Sequence, residues 1–113
     1  MSDYIKIHKT NTKWVVRAGG AVLGESTDAL ELIEGDYKPV IYFPRTDIAM
    51  AFLDPVSLTS HCPHKGDASY YSIQTKSTVL ENAAWSYEMP LEDVAQIKGY
   101  LAFNRALVTV EEL

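Results

Sequence analysis

The sequence predicts a mainly β (α+β) protein framed by antiparallel sheet, with two or three short helices, and places residues 1–113 in a single domain. Short alternations of apolar and polar residues recur along the chain and indicate strands. Glycine, proline, asparagine and aspartate interrupt them at short intervals, as expected of turns. Hydrophobic residues make up 47% of the chain, enough for a core without disulfides or a metal.

The opening segment predicts a three-stranded meander. Strand patterns cover Tyr4–His8, Trp14–Ala18 and Ala21–Glu25. Thr10–Thr12 separates the first two strands, and Gly19–Gly20 supplies the positive φ angles of a tight turn before the third. The first pair of strands is therefore expected to form a hairpin.

Three segments are candidates for the short helices: Ala29–Ile33, Asp47–Leu53 and Leu91–Ile97. The first follows the capping residues Ser26–Asp28, and the last follows Pro90, a residue tolerated at a helix start. The middle segment is too short for its periodicity to separate a helical turn from an apolar strand, and we favour a helical turn or irregular structure.

Further strands are predicted on either side of these segments. Tyr37–Phe43 is rich in β-forming residues, and Pro39 indicates an edge or entry position. Ser69–Thr75 and Thr78–Tyr87 form a predicted hairpin. A last hairpin is expected from Tyr100–Phe103 and Ala106–Val110.

Charge and composition exclude several function classes. Asp and Glu outnumber Lys and Arg by 15 to 10, for a net charge of −5, and no basic run is present. Nonspecific binding to nucleic acid is therefore not expected, because it depends on clustered cations. No apolar run approaches the roughly 20 residues that span a bilayer, and the first twenty residues lack a signal-peptide core. With a single cysteine, the sequence predicts a soluble protein of the reducing cytoplasm.

The stretch Ser60–Tyr70 concentrates the reactive side chains. It contains the single cysteine, Cys62, beside His61, so a nucleophilic thiolate with histidine as base or orienting group is one hypothesis. Neighbours in an extended strand point to opposite sides, however. A small buried thiol beneath the Pro63 turn is the alternative, since free cysteine is among the most buried residue types.

The same stretch supplies candidate ligand-binding residues, namely His64, Lys65, Asp67 and Tyr70. Gly66 would let backbone N–H groups approach an anion and Lys65 would add charge, although a plain charged turn explains the pattern equally well. Tyr70 and Tyr71 lie on opposite faces of one strand, so at most one lines a site.

A metal is not expected. His61, Cys62, His64 and Asp67 are suitable ligand types, and His8 or Glu81 would complete a set. Ligands spaced this tightly rarely converge on one ion, so we predict no metal and no cofactor.

The segment Asn82–Tyr87 is the second candidate region. In a regular strand Asn82, Ala84 and Ser86 share one face, while Ala83, Trp85 and Tyr87 share the other. Asn82 would orient a ligand and Trp85 would contact it, or Asn82 would cap a turn and Trp85 would pack in the core. Arg45 is a candidate partner for a carboxylate or phosphate, or for a surface ion pair.

Three motifs in this order resemble a known family: Tyr42–Arg45, Thr59–Tyr71, and Glu81–Tyr87 followed by Pro90. They resemble the family named domain of unknown function 427, small bacterial and fungal proteins with a CPYKG-like loop and a NAAWxY-like segment. The resemblance covers nearly the whole chain, and His64 stands where the family more usually has tyrosine. It implies a compact β domain with two antiparallel sheets in a tent-like or roll architecture.

Some catalogues attach a nucleotidyltransferase label to that family. The sequence shows neither a glycine-rich phosphate cradle nor the paired metal-binding aspartates that nucleotidyl transfer normally uses. The label therefore carries little weight for this chain.

Two functions from different classes follow from these observations. The first is binding of a small ligand, in one version anionic, between the His61–Asp67 loop and the Asn82–Tyr87 strand, with enzymatic chemistry through Cys62 as an extension. The alternative is a non-enzymatic structural or protein-interaction domain, with self-association into a homo-oligomer, in which these motifs stabilise the fold. Neither nucleic acid nor a membrane is an expected partner.

Overall fold

Antiparallel strands account for most of residues 4–113, the part of the chain that this computed structural model describes. The first three residues of the predicted domain 1–113 lie outside that part. The strands are Ile5–Lys9 (β1), Trp14–Ala18 (β2), Ala21–Ser26 (β3), Leu30–Glu34 (β4), Val40–Tyr42 (β5), Leu53–Cys62 (β6), Gly66–Gln74 (β7), Val79–Ser86 (β8), Ala102–Phe103 (β9) and Thr109–Glu112 (β10). Short 3-10 segments cover Arg45–Asp47, Met50–Phe52 and Glu92–Ile97.

The strands form three sheets, with orders β1-β4-β5, β10-β2-β3 and β6-β7-β8-β9, all paired antiparallel. The mainly β, antiparallel prediction is confirmed, whereas the expected number of two sheets is wrong. Two isolated bridges among the described residues add to this pairing: Gly24 pairs with Ile48, and Phe43 pairs with Leu101. The second bridge fixes β5 beside β9, so the first and third sheets meet there.

The prediction of two or three short helices is wrong, because the described residues contain no α-helix. Leu30–Glu34 is strand β4 and pairs with β1 on one side and β5 on the other. The expected cap Ser26 instead accepts a hydrogen bond at its Oγ from the N–H of Asp28, at 2.9 Å, in the turn before this strand. Pairing on both edges of β4 outweighs the local capping signal, since tertiary context overrides weak propensity.

The other two predicted helices are 3-10 turns. Met50–Phe52 forms a single turn before β6. Glu92–Ile97 is interrupted at Val94, whose φ of −122° and ψ of 26° lie outside helical values. The segment is therefore not a regular helix. Its buried side chains Val94 and Ile97 pack against the smaller hydrophobic core.

Two of the predicted hairpins are wrong and two are confirmed. β1 pairs with β4 rather than β2, and the chain end β10 pairs with β2 rather than β9. The turn at Gly19–Gly20 joins β2 to β3 as expected, and β7 pairs with β8 as expected. A turn at Asn104 replaces the predicted last hairpin. The backbone oxygen of Asn104 accepts hydrogen bonds from the N–H groups of Leu107 and Val108, and its side-chain oxygen accepts one from the N–H of Ala106.

The reactive stretch is mostly strand rather than loop. β6 runs through Cys62 and pairs with β7 in the register His61 opposite Asp67 and Cys62 opposite Gly66. Only Pro63, His64 and Lys65 form the turn between them. Gly66 has a φ of 107°, a value that favours glycine at this position.

Two buried clusters hold the sheets together. The larger one packs residues such as Val16, Phe43, Ile73 and Leu101 between the second and third sheets. The smaller one consists of Leu32, Tyr42, Ala68, Tyr87, Val94, Ile97 and Ala102. This smaller cluster lies between the first and third sheets and forms the floor of the site described below.

Candidate functional site

A cavity of about 300 Å³ opens between β4 and β5 on one side and the β7–β8 hairpin on the other. We call it the aromatic cavity. Its lining residues are Leu32, Val40, Tyr42, Lys65, Tyr70, Asn82, Trp85, Tyr87 and Asn104. Four of the nine are aromatic, three of them tyrosines with a hydroxyl group, and three others form hydrogen bonds through an ammonium or an amide.

Strand register places two of the aromatic rings on the same face. Tyr70 on β7 lies opposite Trp85 on β8, and their ring centroids are 6.4 Å apart with an interplanar angle of 42°. The Trp85 indole N–H donates to the Tyr42 hydroxyl at 3.4 Å. The Tyr70 hydroxyl lies 3.0 Å from Ser60 Oγ. These contacts hold Trp85, which is only half-buried, as one wall of the cavity.

Asn82 reaches the cavity because β8 is irregular. The β7–β8 register shifts between Tyr71 and Ile73, and Asn82 has a φ of 55° in the left-handed region. Its backbone N–H donates to Ser72 Oγ at 3.1 Å. The predicted separation of Asn82 and Trp85 onto opposite faces is therefore wrong, since both line the aromatic cavity. A bulge of this kind breaks the two-residue alternation of side chains.

Lys65 lines the cavity as one half of an ion pair. Its Nζ lies 2.5 Å from Glu34 Oε1, and the two side chains are only 11% and 17% exposed. The ammonium also lies 5.9 Å from the centroid of the Tyr87 ring. Burial alone lowers the pKa of Lys65, but the hydrogen bond to Glu34 and the interactions with Tyr87 and Cys62 raise it above its ordinary value.

The two buried phenols of the floor remain neutral. Burial raises the pKa of Tyr87, and the nearby Tyr42 adds to that effect while Lys65 opposes it. Burial likewise raises the pKa of Tyr42, against the lowering effect of the Trp85 hydrogen bond. Both hydroxyls therefore keep their protons near neutral pH and are available as hydrogen-bond donors or acceptors.

Cys62 does not line the aromatic cavity, but it interacts with the lining residue Lys65. It is half-buried, and a side-chain hydrogen bond with Lys65 contributes to the raised pKa of that lysine. The preceding residue, His61, points to the other face of β6, where its Nδ1 lies 2.7 Å from Asp67 Oδ1. That pair is largely solvent-exposed. The structure therefore brings Cys62 to Lys65 and does not bring it to His61.

His64 lies in the turn before β7, outside the aromatic cavity. Its ring packs against that of Tyr4, with centroids 5.0 Å apart and tilted by 46°. The third histidine, His8, pairs with Glu31 at 2.9 Å on another sheet. Each histidine of the described chain thus has a neighbour other than Cys62.

Arg45 lies on the opposite face of the β7–β8 hairpin. Its guanidinium donates to the Gly99 carbonyl at 3.1 Å, the Tyr71 hydroxyl at 3.3 Å, Ser86 Oγ at 3.4 Å and Glu88 Oε2 at 2.6 Å. The Tyr71 hydroxyl donates to the same Glu88 oxygen at 3.1 Å. We call these residues the arginine cluster. Of the predicted ligand-binding residues, Lys65, Tyr70, Asn82 and Trp85 line the cavity, whereas Arg45, His64 and Asp67 do not.

Sequence reasoning missed several cavity residues. Tyr42 stands in one of the family motifs, and Tyr87 was expected in the core. Both residues were therefore noted in the sequence, but neither was predicted to line a ligand site. Asn104 had no signal in the sequence, because it sits in a predicted turn. Glu34, which pairs with the lining residue Lys65 but does not itself line the cavity, had none either, because it is 31 residues away from Lys65. Across residues 4–113 no group of three or more histidine, cysteine, aspartate or glutamate side chains converges in a way that would hold a metal ion.

These features define a class, a small antiparallel β protein with an aromatic-lined cavity between two of its sheets. Over residues 6–112 the sequence matches the family described as domain of unknown function (DUF427), and the chain belongs to that family. No curated protein matches the chain at a significant level. Nor does any helix in the described part of the protein have the length and apolar character needed to cross a membrane.

Proposed function

We propose that the aromatic cavity binds a small planar ligand. The observation that carries this proposal is the convergence of Trp85, three tyrosines and two asparagines on one opening of about 300 Å³. Ligand sites are typically apolar or aromatic concavities of this size with a few polar groups that fix orientation. Planar rings stack favourably on tryptophan and tyrosine, and the amides of Asn82 and Asn104 supply both donors and acceptors.

The charge of the cavity favours a neutral ring at this position. Lys65 is the only cation among the lining residues, and its partner Glu34 matches its charge at 2.5 Å. A buried pair of this kind presents little net positive charge to a ligand. The ring would therefore be recognised by stacking and by hydrogen bonds to amide and phenol groups.

The proposal covers binding and not catalysis. A cysteine nucleophile is normally activated by a neighbouring base or by cationic groups. The cation near Cys62 is the Lys65 ammonium, which is already engaged by Glu34. The nearby phenols of Tyr42 and Tyr87 supply no positive charge. Cysteine chemistry would thus require a ligand that displaces this pair, and we assign Cys62 to the support of Lys65.

The competing function is a structural or protein-interaction domain. The arginine cluster favours it, because Arg45, Tyr71 and Glu88 satisfy one another. The Lys65–Glu34 pair favours it in the same way. The half-exposed face of Trp85 and the open amides distinguish the aromatic cavity from such a closed arrangement.

The test follows the Trp85 indole signal by NMR in Trp14→Phe protein, where Trp85 is the single tryptophan. Trp14 lies in β2, away from the cavity, and its buried indole N–H has no hydrogen-bond partner among the described residues. We expect phenol to shift the Trp85 signal in a saturable manner. Asn82→Gly, which keeps the left-handed backbone and removes the amide, should weaken that binding. An unchanged Trp85 signal at saturating phenol, with the protein folded, would reject the proposed site.

A further inference from the structure

A second cavity, of about 360 Å³, adjoins the aromatic cavity. The two share Val40, Trp85 and Asn104 in their linings. The second cavity is otherwise lined by Lys38, Pro39, Ile41, Phe103, Arg105 and Val110. We call it the basic cavity, because it contains two cationic side chains and no carboxylate. Trp85 therefore stands at the boundary between an aromatic compartment and a basic one.

The two cations of the basic cavity are available to a ligand. Among residues 4–113, neither Lys38 nor Arg105 forms an ion pair. Arg105 donates from Nη2 to the Val110 carbonyl at 2.6 Å, which orients the guanidinium without neutralising it. Lys65 in the neighbouring cavity and Arg45 in the arginine cluster are, in contrast, both paired with glutamates.

The contrast between the cations Lys38 and Arg105, unpaired among the described residues, and the paired cations Lys65 and Arg45 has a larger effect on anion binding in an acidic protein. The chain carries a net charge of −5, so a free anion is repelled by most of its surface. Two cations without an ion pair in the described chain line this one cavity and favour an anion there. Arginine binds two oxygens of a carboxylate or phosphate through its planar fork, and lysine adds a point charge.

We propose, resting on the binding function proposed above, that the ligand joins a planar ring to an anionic group, a carboxylate or a phosphate. The ring occupies the aromatic cavity, and the anionic group occupies the basic cavity beside Lys38 and Arg105. Trp85 and Asn104, which both cavities share, contact the linkage between the two parts. The neutral character of one compartment and the positive character of the other give the ligand its orientation.

The experiment compares phenol, phenyl phosphate, phenylacetate and inorganic phosphate in the Trp14→Phe protein, with affinities measured from the Trp85 indole signal. We expect at least one of the two anionic ring compounds to bind about tenfold more tightly than phenol, the gain expected of one charge-assisted hydrogen bond. Whichever compound shows the gain tells phosphate from carboxylate recognition. Lys38→Gln should remove most of that gain and leave the affinity for phenol unchanged.

The matched control is Lys76→Gln, which removes another exposed lysine that has no ion pair within residues 4–113, at a position outside both of these cavities. It should leave the gain intact. Arg105→Gln is the second variant, and it should act as Lys38→Gln does.

Equal affinities for phenol and both anionic compounds would overturn this inference while leaving the proposed binding function standing. A gain that survives both Lys38→Gln and Arg105→Gln would overturn it as well, because the anion would then be held elsewhere. Inorganic phosphate that binds as tightly as phenyl phosphate would also overturn it, since the ring would contribute nothing. Absence of binding by phenol and by all three anions would reject the proposed function itself.

Discussion

The two faces of the β7–β8 hairpin both carry a tyrosine with polar neighbours, but one face is closed by side-chain hydrogen bonds and the other borders an open cavity. On one face Tyr71 is enclosed by the arginine cluster, where its hydroxyl contacts both Arg45 and Glu88. On the other face its neighbour Tyr70 lies beside Trp85 at the wall of an open cavity. The first face uses its polar groups to satisfy one another. The second leaves aromatic surface and amide groups facing an opening, as a binding site does and a structural contact does not.

This comparison predicts that substitutions on the closed face reduce stability and that substitutions on the open face mainly reduce binding. Arg45→Met should have the largest effect. It removes the donor shared by Tyr71, Ser86 and Glu88, so the fully buried Ser86 loses a partner and Glu88 loses its cation. We expect the free energy of unfolding to fall by about 3 kcal/mol, measured by urea denaturation.

The control for this variant is Lys98→Met, which removes an exposed lysine without an ion pair in the described chain. Its stability should stay within about 0.5 kcal/mol of the unmodified protein. Stability of Arg45→Met equal to that of the control would mean that the closed face does not hold the fold together.

Trp85→Ala should have an intermediate effect. The ring packs against the smaller core but is half-exposed at the cavity, so we expect a loss of about 2 kcal/mol rather than the roughly 3–5 kcal/mol of a fully buried tryptophan. Phenol binding should be lost in the same variant. A loss of 4 kcal/mol or more on the same roughly 3–5 kcal/mol scale would show that Trp85 acts as a core residue.

Asn82 offers a matched pair of substitutions that separates backbone from side chain. At the φ of 55°, Asn82→Ala keeps a Cβ in the left-handed region but loses the amide that lets asparagine tolerate it, whereas Asn82→Gly removes the Cβ as well. We expect Asn82→Ala to be less stable than Asn82→Gly by about 1 kcal/mol in thermal or denaturant unfolding. Both should bind phenol more weakly than the unmodified protein. Equal stabilities would contradict the left-handed backbone at this site.

The smallest effect near neutral pH is the pH dependence of stability. The folded protein raises the pKa of Lys65, Tyr42 and Tyr87 above their ordinary values of 10.5, 10.0 and 10.0. It therefore holds these protons more tightly than the unfolded chain does. Their contribution is complete below about pH 10 and is lost as the pH rises through the raised values.

The unfolding midpoint in urea should thus be nearly constant from about pH 7 to pH 9 and should fall above about pH 10. Tyr87→Phe removes one of the three groups and should make that alkaline decline shallower. An identical decline in Tyr87→Phe would show that burial of this phenol does not contribute.

The sequence correctly predicted those features of the fold that depend on residues close together in the chain. The glycine turn between β2 and β3 and the alternation in β7 and β8 identified two hairpins, and the family motifs marked the strands around the cavity. The site residues Lys65, Tyr70, Asn82 and Trp85 all came from those motifs. They could be predicted as ligand-binding residues because aromatic, amide and cationic residues lie close together in these stretches of the sequence.

What the sequence did not reveal depends on distant partners. Leu30–Glu34 follows capping residues and looks helical in isolation, but β1 and β5 pair with it on both sides. Lys65 looks like a free cation in the sequence, but in the folded protein it forms an ion pair with Glu34. Arg45 looks like an anion ligand until Glu88 and Tyr71 surround it. The β8 irregularity at Asn82 reversed the assignment of faces that strict alternation implied.

Intermolecular NOEs between phenol and the protein distinguish the two faces of the β7–β8 hairpin directly. We expect contacts from the phenol ring protons to Trp85 and Tyr70, on the open face, and none to Tyr71 on the closed face. Contacts to Tyr71 in place of Trp85, or to neither, would contradict the claim that the open face of the β7–β8 hairpin is the ligand site.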